Sequence, residues 1–198
     1  TRLVVVNRDP GAIPVVNVGS DNARIGRDVA QRLVAAGYKR LGVVRGNPAV
    51  SVGVTRTAAF REAVARSGSA RLVLDESGIV GYDAGRRFVR EAMRRRPRPD
   101  AIFCSSDLTA LGVIDGARID LGIRVPEELG VIGLGDTPAA SWAPYDLTTV
   151  RLPVEGVIDA AIDALLVEPP PDPRQPIEIG ADIVERATVR LIKDRTPR

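Results

Sequence analysis

Short apolar bursts alternate along this chain with stretches whose apolar residues recur every three or four positions, and that alternation leaves few folds open. The bursts Leu3-Val4-Val5-Val6 and Val15-Val16-Asn17-Val18 read as strands, as do runs over 41–44, 72–74, 101–104, 131–134 and 148–152. Between and after them, amphipathic patterns predict helices over about 22–36, 55–67, 82–95, 108–121 and 153–166. Strand followed by helix, repeated in this way, is the pattern of a parallel α/β sheet flanked by helices, because joining parallel strands needs a connection long enough to hold a helix. The first helix has Ser20 or Asp21 as N-cap, Ile25, Val29 and Leu33 on one face, and Gly37 as its stop. Pro153 suits the first position of the last helix. The proline-rich segment 168–176 reads as a loop, further strands are expected at 177–179 and 183–189, and the tail 193–198 is expected to fray.

Composition narrows function more than fold. With 198 residues, 44% of them hydrophobic, the chain can bury a normal core as one large domain or two small ones. The sequence has no His, which removes the usual zinc sites, Ser-His-Asp and Cys-His pairs, and the commonest general base near neutral pH. Most hydrolase chemistry falls with it, and no catalytic, metal or cofactor residues are expected. Gly133-Leu134-Gly135 lacks the third glycine and long following helix of a dinucleotide fingerprint, and no phosphate-binding Gly-x-x-x-x-Gly-Lys-Ser/Thr loop occurs. The lone Cys104 cannot form an internal disulfide and reads as a core residue, pointing to a reducing cytoplasm. No run of ~18 apolar residues and no export leader is visible, so no membrane partner is expected. The formal charge is +3, with arginines spread over the helices apart from Arg94-Arg95-Arg96-Pro97-Arg98-Pro99. That run closes a predicted helix, where cations meet the C-terminal dipole, and reads as a solvated helix end.

The stretch from Ile123 to Val150 carries the functional argument. Val125-Pro126-Glu127-Glu128-Leu129 reads as a sharp turn and Val131-Ile132-Gly133-Leu134 as a buried strand, with Gly133, Gly135 and Asp136 leaving room at the strand's carboxyl end. In an open parallel sheet, ligands bind at that end. Together with Asp107-Leu108-Thr109-Ala110-Leu111-Gly112 and Asp146-Leu147-Thr148-Thr149-Val150, this stretch resembles the effector-binding domain of the lactose/galactose-repressor (LacI/GalR) family of bacterial transcription regulators. Other motifs recur in family order: Gly37-Tyr38-Lys39-Arg40-Leu41 with Tyr38 in place of the family's His, Arg56-x-x-Ala59-Phe60, and Ile183-Val184-Glu185-Arg186-Ala187-Thr188.

The resemblance implies a periplasmic-binding-protein-like fold: two α/β lobes joined by three crossovers, with an effector in the cleft between them. It divides the chain into a partial N-terminal lobe at 1–37, a C-terminal lobe at 38–152, and a crossover helix with a return to the N-terminal lobe at 153–198. The family's helix-turn-helix, hinge and first βαβα part of the N-terminal lobe have no counterpart here. The chain therefore reads as a fragment with an incomplete N-terminal lobe and exposed strand edges, reaching operator DNA only through the missing domain. A homodimer is expected, with Leu111 at a family dimer position.

Effector binding is implied for Arg56, whose planar guanidinium can form paired hydrogen bonds to hydroxyls or a carboxylate, although a helix-start arginine can also simply face solvent. Asp21 and Asp107 each fit two roles, helix cap or ligand contact, and Ser106 stands where relatives carry a polar contact. Asp136 closes the family's Gly-aromatic-Asp-Asp motif, whose first Asp is here Gly135. Val52, Val80 and Leu152 fall at cleft positions by the resemblance, or else are core residues. Apolar groups at these places predict an effector smaller or less polar than a typical sugar. Two other classes compete: a periplasmic sugar-binding protein of the same fold, and an α/β enzyme using Asp107, Asp136 or Cys104.

Overall fold

The computed structural model describes residues 2–192. In chain order these are strands β1 (Val4–Val6) and β2 (Val16–Ser20), helix α1 (Asn22–Ala35), β3 (Arg40–Val44), α2 (Ser51–Arg66), β4 (Arg71–Glu76), α3 (Tyr82–Ala92), β5 (Ala101–Cys104) and α4 (Asp107–Asp115). They continue with a π-helical turn at Gly116–Asp120, β6 (Gly130–Leu134), β7 (Thr149–Arg151), α5 (Val154–Leu166), β8 (Ile177–Ile179) and β9 (Asp182–Val184). Two sheets result. A small one has the order β1-β2-β8, and a large one the order β4-β3-β5-β6-β7-β9. All pairings are parallel except β7 with β9.

The central strands β5 and β6 are buried at every residue, as expected of parallel strands covered on both faces. On one face α1 and α2 pack Ile25, Val29, Leu33 and Phe60 against Leu41, Val43 and Phe103, with the Phe60 and Phe103 rings 5.6 Å apart. On the other, α3 and α4 bring Phe88, Val89, Val113 and Ile114 onto Val44, Ile102 and Val131. Gly112 makes that second layer possible: a Cβ there would sit 2.0 Å from the Tyr82 carbonyl oxygen, so only a glycine lets α4 lie this close to α3. The small sheet has a thinner core, Val16 and Val18 against Val157 and Ala164 of α5.

The grouping of segments differs from the expected one. Helix α1, assigned by sequence to an N-terminal lobe at 1–37, packs on α2 and joins the core of the large sheet, because its Ile25-Val29-Leu33 face meets Leu41 and Phe60. The first crossover therefore falls at Asp21, not after residue 37. The chain end corrects in the same direction. β9 pairs with β7 instead of returning to the small sheet, and only two of the residues expected as strand at 183–189, Ile183 and Val184, are extended in that ladder. The rest close onto the large lobe through Thr188, whose Oγ1 accepts from the Thr148 amide at 2.9 Å and donates to the Val131 carbonyl at 2.7 Å. The large lobe is thus 21–152 with 181–192, and the small lobe 2–20 with 153–180.

Three helix ends also move. α2 begins at Ser51, a turn earlier than expected; α3 stops at Ala92; and the predicted 108–121 helix becomes α4 followed by the π turn. Leu111 is 5% exposed within the α3/α4 core: α4 is buried nearly all round, leaving Leu108 and, in the π turn, Ile119 exposed. The expected frayed tail at 193–198 lies outside the described residues.

Candidate functional site

Between the small lobe and the start of α2 lies a cavity of about 180 Å³. Its walls are Asn7, Arg8 and Asp9 after β1, Asn17, Gly19 and Ser20 on β2, Asn22 at the start of α1, Ser51, Val52 and Thr55 in the first turns of α2, and Pro176, Ile177 and Glu178 on and before β8. Strand alternation explains the polar wall. Val16 and Val18 face α5, so Asn17 and Gly19 face the other way. The Asn7 Oδ1 accepts from the Ser20 amide at 3.1 Å, tying the end of β1 to β2, and the Asp9 amide donates to Ser51 Oγ at 3.2 Å, joining the two lobes at the rim.

Beneath this cavity sits Arg56, 8% exposed. Its Nη2 donates to Asn22 Oδ1 at 2.5 Å, while Asn22 Nδ2 donates to the Ser20 carbonyl at 2.9 Å. No carboxylate answers the guanidinium among the described residues, and its Nε is buried without a partner. Burial lowers its pKa to about 10. A cation in such a place is destabilised unless an acceptor reaches it, which suits an anionic or oxygen-rich ligand entering past Asn22. Asp21 stands next to this cluster as the α1 N-cap, its Oδ1 accepting from the Arg24 amide at 2.7 Å. Burial and the neighbouring Asp21 charge both raise the pKa of Glu178 on the opposite wall.

The other expected residues gather elsewhere. Ser106, not Asp107, caps α4, its Oγ accepting from the Thr109 amide at 3.3 Å. Asp107 is 1% exposed and fully engaged: it accepts from the Thr137 amide at 2.7 Å, Thr137 Oγ1 at 3.0 Å and Thr149 Oγ1 at 2.5 Å. It fastens the β6–β7 connection to α4, and neither cap nor ligand contact describes it. Asp136 lies between two arginines, accepting from Arg151 Nε and Arg186 Nη2 at 2.7 Å each. Burial pushes its pKa up, but the hydrogen bonds from Arg186 and Arg151 outweigh this and hold it below the ordinary Asp value. Gly135 has φ +136°, and a Cβ there would approach Asp107 Oδ2 to 3.3 Å. The acidic residue the family places there would therefore be strained and would face a buried carboxylate.

Of the expected apolar cleft residues, only Val52 lines the cavity. Val80 is 67% exposed beside Gly46, and Leu152 borders a separate crevice at the crossovers with Pro153, Gly180 and Ala181. The structure thus unites Arg56 and Val52 with Asp21 close by, and leaves Ser106, Asp107, Gly135, Asp136, Val80 and Leu152 apart. The cavity presents Asn7, Asn17, Ser20, Asn22, Ser51 and Thr55 beside the apolar Val52, Pro176 and Ile177. Cys104 is buried, and burial followed by the Asp107 charge pushes its thiol pKa up, the opposite of what a nucleophile needs. Among the described residues no group of three or more His, Cys, Asp or Glu could hold a metal, and no helix is long and apolar enough to cross a membrane.

Comparisons with known proteins bear on the family and the fold. Residues 30–189 match the model of a family described as periplasmic binding protein-like domain. The transcriptional regulator CelR of Thermobifida fusca is 35% identical over 142 residues, covering 70% of this chain and 41% of that protein. The transcriptional repressor PurR of Klebsiella pneumoniae is 31% identical over 176 residues, covering 85% of this chain and 50% of its own length. This chain therefore spans half or less of these curated relatives. Among solved structures, a LacI transcriptional regulator from a Rhodococcus species superposes with a TM-score of 0.83 at 24% identity, covering 96% of this chain and 70% of that one. A CelR–cellobiose complex superposes with a TM-score of 0.79 at 29% identity, covering 93% and 58%.

Proposed function

This chain belongs to the periplasmic binding protein-like domain family, as the effector-binding domain of a LacI/GalR-type regulator, and from that premise we propose that it senses a small polar molecule held between its two lobes. The observation that carries the reading is the buried, carboxylate-free Arg56 under a cavity to which both lobes contribute amide and hydroxyl groups. Those groups suit several ligand hydroxyls, and Arg56 through Asn22 suits a ring oxygen, carbonyl or anionic substituent. A sugar or sugar-like effector fits this wall better than the weakly polar molecule inferred from Val52, Val80, Gly135 and Leu152. The cellobiose bound to the structural neighbour points the same way. A ligand that touches both lobes favours their closed arrangement by its differential affinity. In the whole regulator, a cytoplasmic homodimer, that closure would set the spacing of two DNA-reading heads. Leu108 at the start of α4 and Ile119 in the π turn are exposed apolar residues that join Leu111 as contacts expected at the dimer surface.

A thermal-shift screen with hexoses, pentoses and disaccharides tests the proposal. A ligand at a hundred times its Kd stabilises the folded state by about 2.7 kcal/mol, and Asn17→Ala or Ser51→Ala should reduce the shift. A shift that survives both substitutions would place the ligand elsewhere.

A further inference from the structure

The amino ends of the large sheet's strands, opposite the cleft, collect cations from three separate segments. Lys39 and Arg40 lead into β3, Arg71 opens β4, and Arg94, Arg96 and Arg98 follow α3. Hydrogen bonds join four of them: the Arg71 amide donates to the Lys39 carbonyl at 2.9 Å, and Arg40 Nε donates to the Arg98 carbonyl at 2.8 Å. A basin of about 380 Å³ is lined by Lys39, Arg40, Gly68, Ser69, Ala70 and Arg71. The acids nearby are already engaged. Asp100 accepts from the Lys39 and Arg40 amides and lies 3.5 Å from Arg40 Nη2, Glu76 takes Arg95 and Glu62 takes Arg66. Among the described residues, no carboxylate forms a salt bridge with Lys39, Arg71, Arg94, Arg96 or Arg98, and all five are exposed. The sequence reading of Arg94–Arg98 as an isolated solvated helix end missed this, because Lys39 and Arg71 are distant in the chain.

We propose that this basic end binds the phosphate backbone of duplex nucleic acid without reading its sequence. The cations are spread over a broad face instead of converging on one point, which suits a row of phosphates better than a single small anion. Like charges that outnumber the carboxylates beside them, Asp100 near Arg40 and Glu128 near Arg98, raise the local potential, and release of condensed counter-ions from the duplex drives association. The contact lies on a different face from the cleft and requires no effector.

The test is fluorescence anisotropy of the 198-residue chain with a labelled random-sequence duplex at several salt concentrations, beside polyglutamate of matched charge. Two charge-reversal pairs with the same change in net charge are compared: Lys39→Glu/Arg71→Glu in the basin, and Arg27→Glu/Arg87→Glu on other exposed faces. Binding should weaken steeply with salt, and the basin pair should lower affinity by about tenfold or more and flatten the log–log salt slope by about 1.8, at roughly 0.9 per lost phosphate contact. The control pair should change affinity by less than about threefold. A neutral Lys39→Gln/Arg71→Gln pair should give a smaller loss in the same direction, and circular dichroism checks that every variant is folded. No duplex binding at low salt, equal losses from the basin and control pairs, or polyglutamate bound as tightly as the duplex would each overturn the proposal.

Discussion

The two lobes of this molecule are built from the same kinds of element but not to the same depth. The large lobe buries β5 and β6 completely between helices on both faces, with Phe60, Phe103, Ile102, Ile114 and Ile132 at 1% exposure or less. The small lobe has three strands and one helix, and its buried cluster is Val16, Val18, Val157 and Ala164. On its outer side α5 leaves Val154, Ile158, Ile162 and Leu166 between 48% and 74% exposed. A sheet covered on both faces buries far more apolar surface than three strands with one covering helix, which only meet the minimum for independent stability. Stability should therefore reside in the large lobe, and the small lobe should behave as the movable wall of the cleft.

The largest test of that contrast is Val29→Ala in the large lobe, which should cost about 2–4 kcal/mol in denaturant melts, against about 1 kcal/mol for Val18→Ala in the small lobe, both valines being fully buried. Equal costs would dissolve the distinction. Gly112→Ala should follow at about 1–3 kcal/mol, since its methyl can be accommodated only by parting α3 from α4. The Asp136 bridge between Arg151 and Arg186 should make the large-lobe edge sensitive to acid. Its folded pKa is depressed, so its contribution is present above the unfolded Asp value near 4 and is lost as pH falls through the lower folded value. Asp136→Asn should therefore shrink the difference in melting temperature between pH 6 and pH 3. Ile158→Ser on the exposed face of α5 should change stability by no more than about 0.5 kcal/mol. Cys104 sharpens the picture without mutation. Buried in the large lobe with its thiol pKa pushed up, it should resist alkylation until global unfolding, while limited trypsin cuts the small-lobe segment near Arg174 first.

Most elements were legible in the sequence because parallel strands buried on both faces read as unbroken apolar runs, as at 101–104, and because Asp21 and Gly37 mark the ends of a helix with one apolar face. Which sheet a helix covers was not legible. The Ile25-Val29-Leu33 stripe says that α1 must be covered, but only the arrival of Phe60 from α2 says by what. Leu111 lay hidden for a related reason: a motif position cannot report that α4 is buried nearly all round. At the site, Arg56 was found through its motif, while Asn7, Ser51 and Glu178 were missed because they converge from three distant segments. Asn17 did leave a signal, as the polar residue alternating with Val16 and Val18 in an otherwise apolar strand.

Hydrogen–deuterium exchange on the chain with and without a sugar found in the thermal screen shows whether a ligand sits between the two lobes. Exchange should slow on both sides of the cavity, in the amides of 17–22 from β2 into α1 and of 51–57 at the start of α2, with little change around Asp107 and Asp136. Protection confined to one lobe, or centred on Asp107 and Asp136, would contradict a ligand held between the lobes over Arg56.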